Sequence, residues 1–116
     1  MASNTDSCKI IIGLLQNRII TLCYDYRILE EYEEVLSRAK FGFDEWEISD
    51  FLSQIQYDGI SVVAQAIDMP FADENDRKFY EVAKQCGAAL IAGNLKHFPS
   101  DSLVISPTDF LNGLKL

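Results

Sequence analysis

One segment restricts the fold of this chain more than any other. From Asp73 onward the apolar residues Phe79, Val82, Ala83 and Cys86 recur at helical spacing, and Gly87 stands where a helix stops. The run Ala88-Ala89-Leu90-Ile91-Ala92 follows at once and ends at Gly93-Asn94. A helix that feeds a short apolar strand is the repeating unit of α/β domains. Polar side chains just past the carboxyl end of such a strand mark the working edge of the sheet.

The rest of the chain continues the alternation. Strands are predicted over residues 18–24, 60–66, 88–92 and 103–106, and helices over 26–40, 45–56, 73–85 and from Pro107 toward Leu116. Residues 8–17 carry Ile11, Leu14 and Leu15 on a stripe that suits a short helix, although the Ile run also suits a strand. Residues 1–7 read as a polar tail, and residues 8–116 read as one domain. Helices between successive strands imply a parallel sheet covered on both faces.

Local signals fix several boundaries. Asp25 is a predicted N-cap, and Gly42 ends the helix that Asp25 opens. Asp44 and Glu47 have capping-box spacing. Asp58-Gly59 is a turn signal.

Composition narrows the function. The chain has 116 residues, 48% apolar and 24% charged, so one core can form. Its formal net charge of −8 argues against a broad phosphate-binding surface, because such surfaces are basic. It leaves room for a nuclease whose carboxylates are neutralised by a divalent metal. Cys8, Cys23 and Cys86 show no metal-ligand spacing. Their odd number fits a reducing compartment, with Cys23 and Cys86 behaving as small core hydrophobes. No apolar run approaches the ~20 residues that span a bilayer, and the short Ile10–Leu15 run lacks the form of a signal peptide. The expected location is cytoplasmic, with no membrane partner.

The acidic residues divide by geometry. At roughly 100° per residue, Asp76 falls within the sector of Phe79, Val82, Ala83 and Cys86, while Glu74 and Glu81 fall on the opposite, solvated side. A carboxylate on a buried stripe is costly unless something pairs with it. Asp76 is either such a functional acid or a first-turn residue favoured by the helix dipole. Asp73 reads as a simple N-cap. On the helix after Asp25, Glu31 and Glu33 border the apolar face, and Glu30 and Glu34 point to water; geometry does not choose between the two border residues. Asn94 follows the strand over 88–92, where its amide can orient a metal-bound water or a phosphate, or simply help the chain turn. His97 reads as a neutral loop histidine, since one histidine without cysteine support makes no zinc site. A hydrolase triad and a phosphate-cradling glycine loop are both unsupported.

Several of these residues together resemble a known family. Asp76 to Ala83, Gly87, and Leu90-Ile91-Ala92-Gly93-Asn94-Leu95-Lys96-His97-Phe98 resemble the C-terminal half of a PIN domain. Tyr24-Asp25-Tyr26-Arg27-Ile28-Leu29-Glu30-Glu31-Tyr32-Glu33-Glu34-Val35-Leu36, followed by Lys40-Phe41-Gly42, resembles its central helix, and Ile105-Ser106-Pro107-Thr108-Asp109-Phe110-Leu111 its close. The nearest group is that of VapC-type toxins of toxin–antitoxin systems. The resemblance implies a PIN-like parallel sheet flanked by helices on both faces. It also implies an endoribonuclease dependent on Mg²⁺ or Mn²⁺, with RNA as substrate and an antitoxin protein as partner. Carried over by motif, Glu31, Asp76 and Asn94 are the implied catalytic and metal-binding residues, with Asp73 as an accessory. Ala92 stands where many members carry Thr or Ser.

The chain departs from the family at its start. Members open with a strand ending in Asp-Thr-Asn, and that strand lies centrally in the sheet; Asn4-Thr5-Asp6 is only a reversed echo of it. Without the strand, two edges lack partners, which implies a homo-oligomer, a strand-exchanged assembly or a rearranged sheet. It also implies weaker metal binding, so the alternative is a non-catalytic PIN-fold binding or regulatory module. A receiver-like domain is a third reading, but the opening acid pair that it needs is missing.

Overall fold

The computed structural model describes residues 13–15 and 17–114. The predicted tail over 1–7, the Asn4-Thr5-Asp6 echo, Cys8 and most of the segment over 8–17 lie outside the described residues. Within that segment, residues 13–15 are helical and Leu14 is buried. The elements that follow are β1 (Cys23–Tyr24), α1 (Tyr26–Leu36), α2 (Glu45–Asp58), β2 (Ile60–Ser61), α3 (Arg77–Cys86), β3 (Leu90–Ile91), β4 (Val104–Ile105) and α4 (Pro107–Leu114).

Each predicted strand is present but reduced to two residues. The first begins late because the chain must first leave a helix. Ile19 N–H donates to the Leu14 carbonyl at 2.9 Å and Arg18 N–H to the Leu15 carbonyl at 3.1 Å, with Arg18 at φ 59. This is a Schellman closure with arginine in the left-handed position usually taken by glycine. Residues 18–20 therefore turn, and only Cys23–Tyr24 joins a ladder. β2 stops early for a different reason. Beyond Val62, whose N–H reaches the Tyr24 carbonyl at 2.9 Å, the backbone finds its partners on side chains of α3. Gln85 Oε1 accepts from Gln65 N–H at 3.3 Å and Glu81 Oε2 accepts from Ile67 N–H at 2.8 Å. The Arg77 guanidinium donates to the carbonyls of Ile67 and Met69.

The helix boundaries follow their caps. Asp25 Oδ1 accepts from Ile28 N–H at 3.1 Å and opens α1. The helix ends at Leu36, short of the predicted residue 40. Ser37 Oγ donates back to the Glu33 carbonyl at 2.6 Å, Arg38 turns extended, and a 3-10 turn over Ala39–Phe41 closes at Gly42 with φ 66. The capping box forms as predicted, with Glu47 Oε1 accepting from Asp44 N–H at 3.0 Å. Gly87 takes φ 64 at the end of α3.

The strands make two parallel pairs among the described residues. β1 pairs with β2 (Cys23 with Ile60, Tyr24 with Ser61), and β3 pairs with β4 (Leu90 with Val104, Ile91 with Ile105). Sequence reasoning expected a parallel sheet flanked by helices on both faces, without its central strand and so with two unpaired edges; among the described residues the strands form two half-sheets. Each half has its own core. Tyr24, Ile28, Ile55 and Val82 form one, and Tyr80, Ala83 and Leu90 the other. α3 supplies residues to both, so it is the element that ties the halves together. Cys23 and Cys86 pack against the first core as small hydrophobes. Burial and the adjacent Cys86 thiol push the Cys23 thiol up to about 11, which keeps it protonated.

Candidate functional site

Between the half-sheets lies a cavity of about 700 Å³. Leu22 and Cys23 border it on one side and residues 88–94 on the other, with Ile28, Phe79 and Val82 among its apolar walls. Three polar side chains predicted from sequence line this one cavity: Glu31, Asp76 and Asn94. They come from α1, from the start of α3 and from the loop after β3, so they are distant in sequence and meet only through the fold.

Each has a local cause for its position. Glu31 sits on the border of the α1 apolar face, with its side chain 31% exposed. Asp76 closes a 3-10 turn over Glu74–Asp76 and is the residue from which α3 starts. Asn94 caps the 3-10 turn over Leu95–His97, its Oδ1 accepting from Lys96 N–H at 3.3 Å. Asp73 plays the capping role that sequence reasoning gave it: Oδ1 accepts from Asn75 N–H at 2.9 Å. Its side chain is exposed and is not among the residues that line the cavity.

Two basic residues stand against these polar groups, and sequence reasoning did not find either role. Lys78 Nζ is 2.7 Å from Glu31 Oε1. His97 bridges the other two. The Asn94 amide is oriented by its bond to Lys96, so Nδ2 is the group facing His97 Nε2, at 3.0 Å. Nε2 therefore accepts, and the neutral ring carries its proton on Nδ1. Nδ1 lies 3.3 Å from Asp76 Oδ2, outside hydrogen-bonding geometry. Asp76 Oδ2 is thus buried beside an imidazole but without a hydrogen bond, an expensive condition for a carboxylate oxygen. No spacing rule in the sequence signals the Lys78 contact, because its partner lies on another helix. His97 lies three residues from Asn94, and that proximity was the one available signal.

A buried acidic network braces the site from behind. Arg27 contacts Asp25 Oδ2 through Nη2 at 2.6 Å and Nε at 2.7 Å, and Glu81 Oε1 through Nη1 at 2.8 Å. Asp25 is 4% exposed and Glu81 3%. Burial disfavours the Arg27 charge, but the bonds to Asp25 and Glu81 outweigh it and raise the guanidinium above its ordinary value. Sequence reasoning put Glu81 on the solvated side of its helix. The structure overturns this: the loop over residues 62–69 folds back over that face and covers it.

The donor set suits a hard divalent cation. Its oxygens are two carboxylates and an amide, and the orphaned Asp76 Oδ2 is a ligand atom without a proton donor. Mg²⁺ uses such oxygens, needs only one or two carboxylates and keeps several waters. Among the described residues, no group of three or more His, Cys, Asp or Glu is gathered to hold a metal. Nor does any helix among them have the length and apolarity to cross a membrane. A family model of the PIN domain matches residues 1–96 of the chain. No curated protein and no solved structure matches it.

Proposed function

Because this chain belongs to the PIN-domain family, whose members are typically metal-dependent nucleases, we propose that it is a metal-dependent endoribonuclease and the toxin of a toxin–antitoxin pair. The observation that carries the reading is the meeting of Glu31, Asp76 and Asn94 in one cavity, with an unsatisfied Asp76 oxygen among them. In this reading Glu31, Asp76 and Asn94 hold Mg²⁺ or Mn²⁺. The bound ion supplies an acidified water and offsets charge on the phosphate. Asp76 contributes the anionic oxygen that no proton donor occupies. Asn94 orients its amide through Lys96 and His97, and His97 holds that arrangement from its Nε2 side. Asp73 supports the site indirectly, by capping the turn that presents Asp76.

The split sheet supports the assembly part of this reading. In a parallel ladder, alternate residues bond to alternate sides. Leu22 and Tyr24 accept from β2, so Cys23 presents its backbone groups to the cavity. Leu90 and Ala92 donate toward β4, so Ile91 does the same from the other side. A strand from a second copy seated there would complete a continuous sheet, and light scattering above the monomer mass is the expected result. Phe41 and Phe43 just before α2 and Trp46 in its first turn stand exposed, an aromatic group of the kind enriched at protein interfaces and suited to an antitoxin.

The test is cleavage of RNA with Mg²⁺ or Mn²⁺ and with EDTA. It compares the chain, its Asp76→Asn variant, and the chain extended by an apolar strand ending in Asp-Thr-Asn. Metal-dependent cleavage that Asp76→Asn lowers at least a hundredfold is expected. No cleavage by the extended chain refutes the enzyme. One observation favours a second reading, a PIN-fold module that binds a partner without cutting: the described residues gather only two carboxylates at the cavity. Calorimetry without heat at millimolar Mn²⁺ would select it.

A further inference from the structure

Lys78 has the burial of a residue with a task. Its side chain is 13% exposed, whereas a lysine without a role puts its ammonium in water. Nζ lies 2.7 Å from Glu31 Oε1 and donates to the Asn75 carbonyl at 2.6 Å, and it lies 5.2 Å from the centre of the Phe79 ring. The residue is two positions beyond Asp76, at the start of α3, while Glu31 belongs to α1. A positive charge therefore already stands against Glu31, one of the two carboxylates that line the cavity. It holds one of the two oxygens that Glu31 could offer to anything else.

We propose that Lys78 is the internal counter-cation of this site: it holds Glu31 while no divalent ion is bound and gives it up when one binds. This rests on the metal-site reading above. Two consequences follow from charge alone. The ion must displace an ammonium from the Glu31 oxygen it holds before it gains that ligand, and it must then tolerate the like charge that Lys78 keeps beside Glu31. Both lower affinity for the ion. In return, the arrangement spares α1 and α3 an uncompensated carboxylate when the site is empty. Lys78 is thus a positioning residue that sets the threshold for metal entry, and it touches no reacting atom.

The test is Mn²⁺ titration at neutral pH, by calorimetry and by the paramagnetic resonance of free Mn²⁺. It uses the intact chain and the variants Lys78→Met, Lys78→Gln and Lys78→Arg. Met keeps the apolar stem against Phe79, Gln keeps a donor, and Arg keeps the charge. Loss of the charge is expected to tighten Mn²⁺ binding by roughly tenfold in Lys78→Met and Lys78→Gln. Lys78→Arg should stay within about threefold of the unmodified chain. Adding Glu31→Gln to Lys78→Met should remove the gain. A purely structural ion pair predicts the reverse, an unchanged or weaker affinity in both neutral variants, and that result overturns the proposal while leaving the metal site standing. If no form of the protein binds Mn²⁺, the proposal and the metal-site reading fall together.

Discussion

Glu81 offers the most exposed test of the packing argument. Its carboxylate is 3% accessible and satisfies two donors at once, the Arg27 guanidinium at 2.8 Å and the Ile67 N–H at 2.8 Å. Hydrogen bonds to a charged group contribute about 1.5–3 kcal/mol each, and breaking a buried ion pair from one side costs about 3–5 kcal/mol. Glu81→Ala leaves both donors without it, so its expected cost is about 4 kcal/mol. With a urea slope of about 2 kcal/mol per M, the unfolding midpoint should fall by roughly 2 M. Glu81→Gln can accept from only one of the two donors and presents its amide to the other, so about half that loss is expected. Hydrogen exchange adds a local readout. The Ile67 amide should lose protection in both variants, because its acceptor is a side chain and not a neighbouring strand. A Glu81→Ala midpoint within roughly 0.5 M of the parent would refute the reasoning, since a residue that cheap to remove cannot be what holds the loop.

Two further predictions follow from single contacts. A Cβ at Gly59 would lie 2.5 Å from the Ile55 carbonyl oxygen and 2.7 Å from that of Leu22. Gly59→Ala should therefore cost about 2–3 kcal/mol and lower the melting temperature by roughly 10 °C; an unchanged melting curve would remove the claim of close approach. Asp101 is held down to about 2 by the Lys84 ammonium, the Leu103 N–H and the Tyr80 hydroxyl. Its folded value lies below the unfolded one of ~3.9, so its contribution is present above about pH 4 and fades as pH falls toward 2. Asp101→Asn should flatten the acid limb of a urea-midpoint profile between about pH 5 and pH 2.5, and a limb identical to that of the parent would contradict the assignment.

Local chemistry was legible in the sequence, and long-range pairing was not. The Asp25 cap, the Asp44–Glu47 box and the Gly87 stop are decided within a few residues, and the structure has all three. The α/β alternation is set by the same short-range patterns, and it too is present. Strand length is another matter, because a strand lasts only as long as its partner. Residues 62–69 have strand-like composition, yet Gln85, Glu81 and Arg77 take their backbone groups instead. The misplacement of Glu81 has the same origin. A helical wheel sorts residues by direction, and it cannot see a loop from another part of the chain lying over the face it labels as wet. Candidate site residues divide in the same way. Asp76 was visible as an acid on an apolar stripe, and Glu31 and Glu33 as acids beside one, with only the family resemblance choosing Glu31. Lys78 was not, since its partner lies on another helix, and His97 had only its closeness to Asn94 to signal it.

The two cores have a mechanical consequence. Glu31 rides on α1, which packs on β1, while Asn94 and His97 follow β3. Asp76 and Lys78 stand at the entrance of the helix that serves both halves. On the proposed reading, a ligand shared by Glu31 and Asn94 would act as a clasp across the molecule, and its affinity would be inseparable from the cohesion of the domain. Loosening the packing of α3 against either core should weaken the clasp, and closing the clasp should raise the temperature at which the halves part.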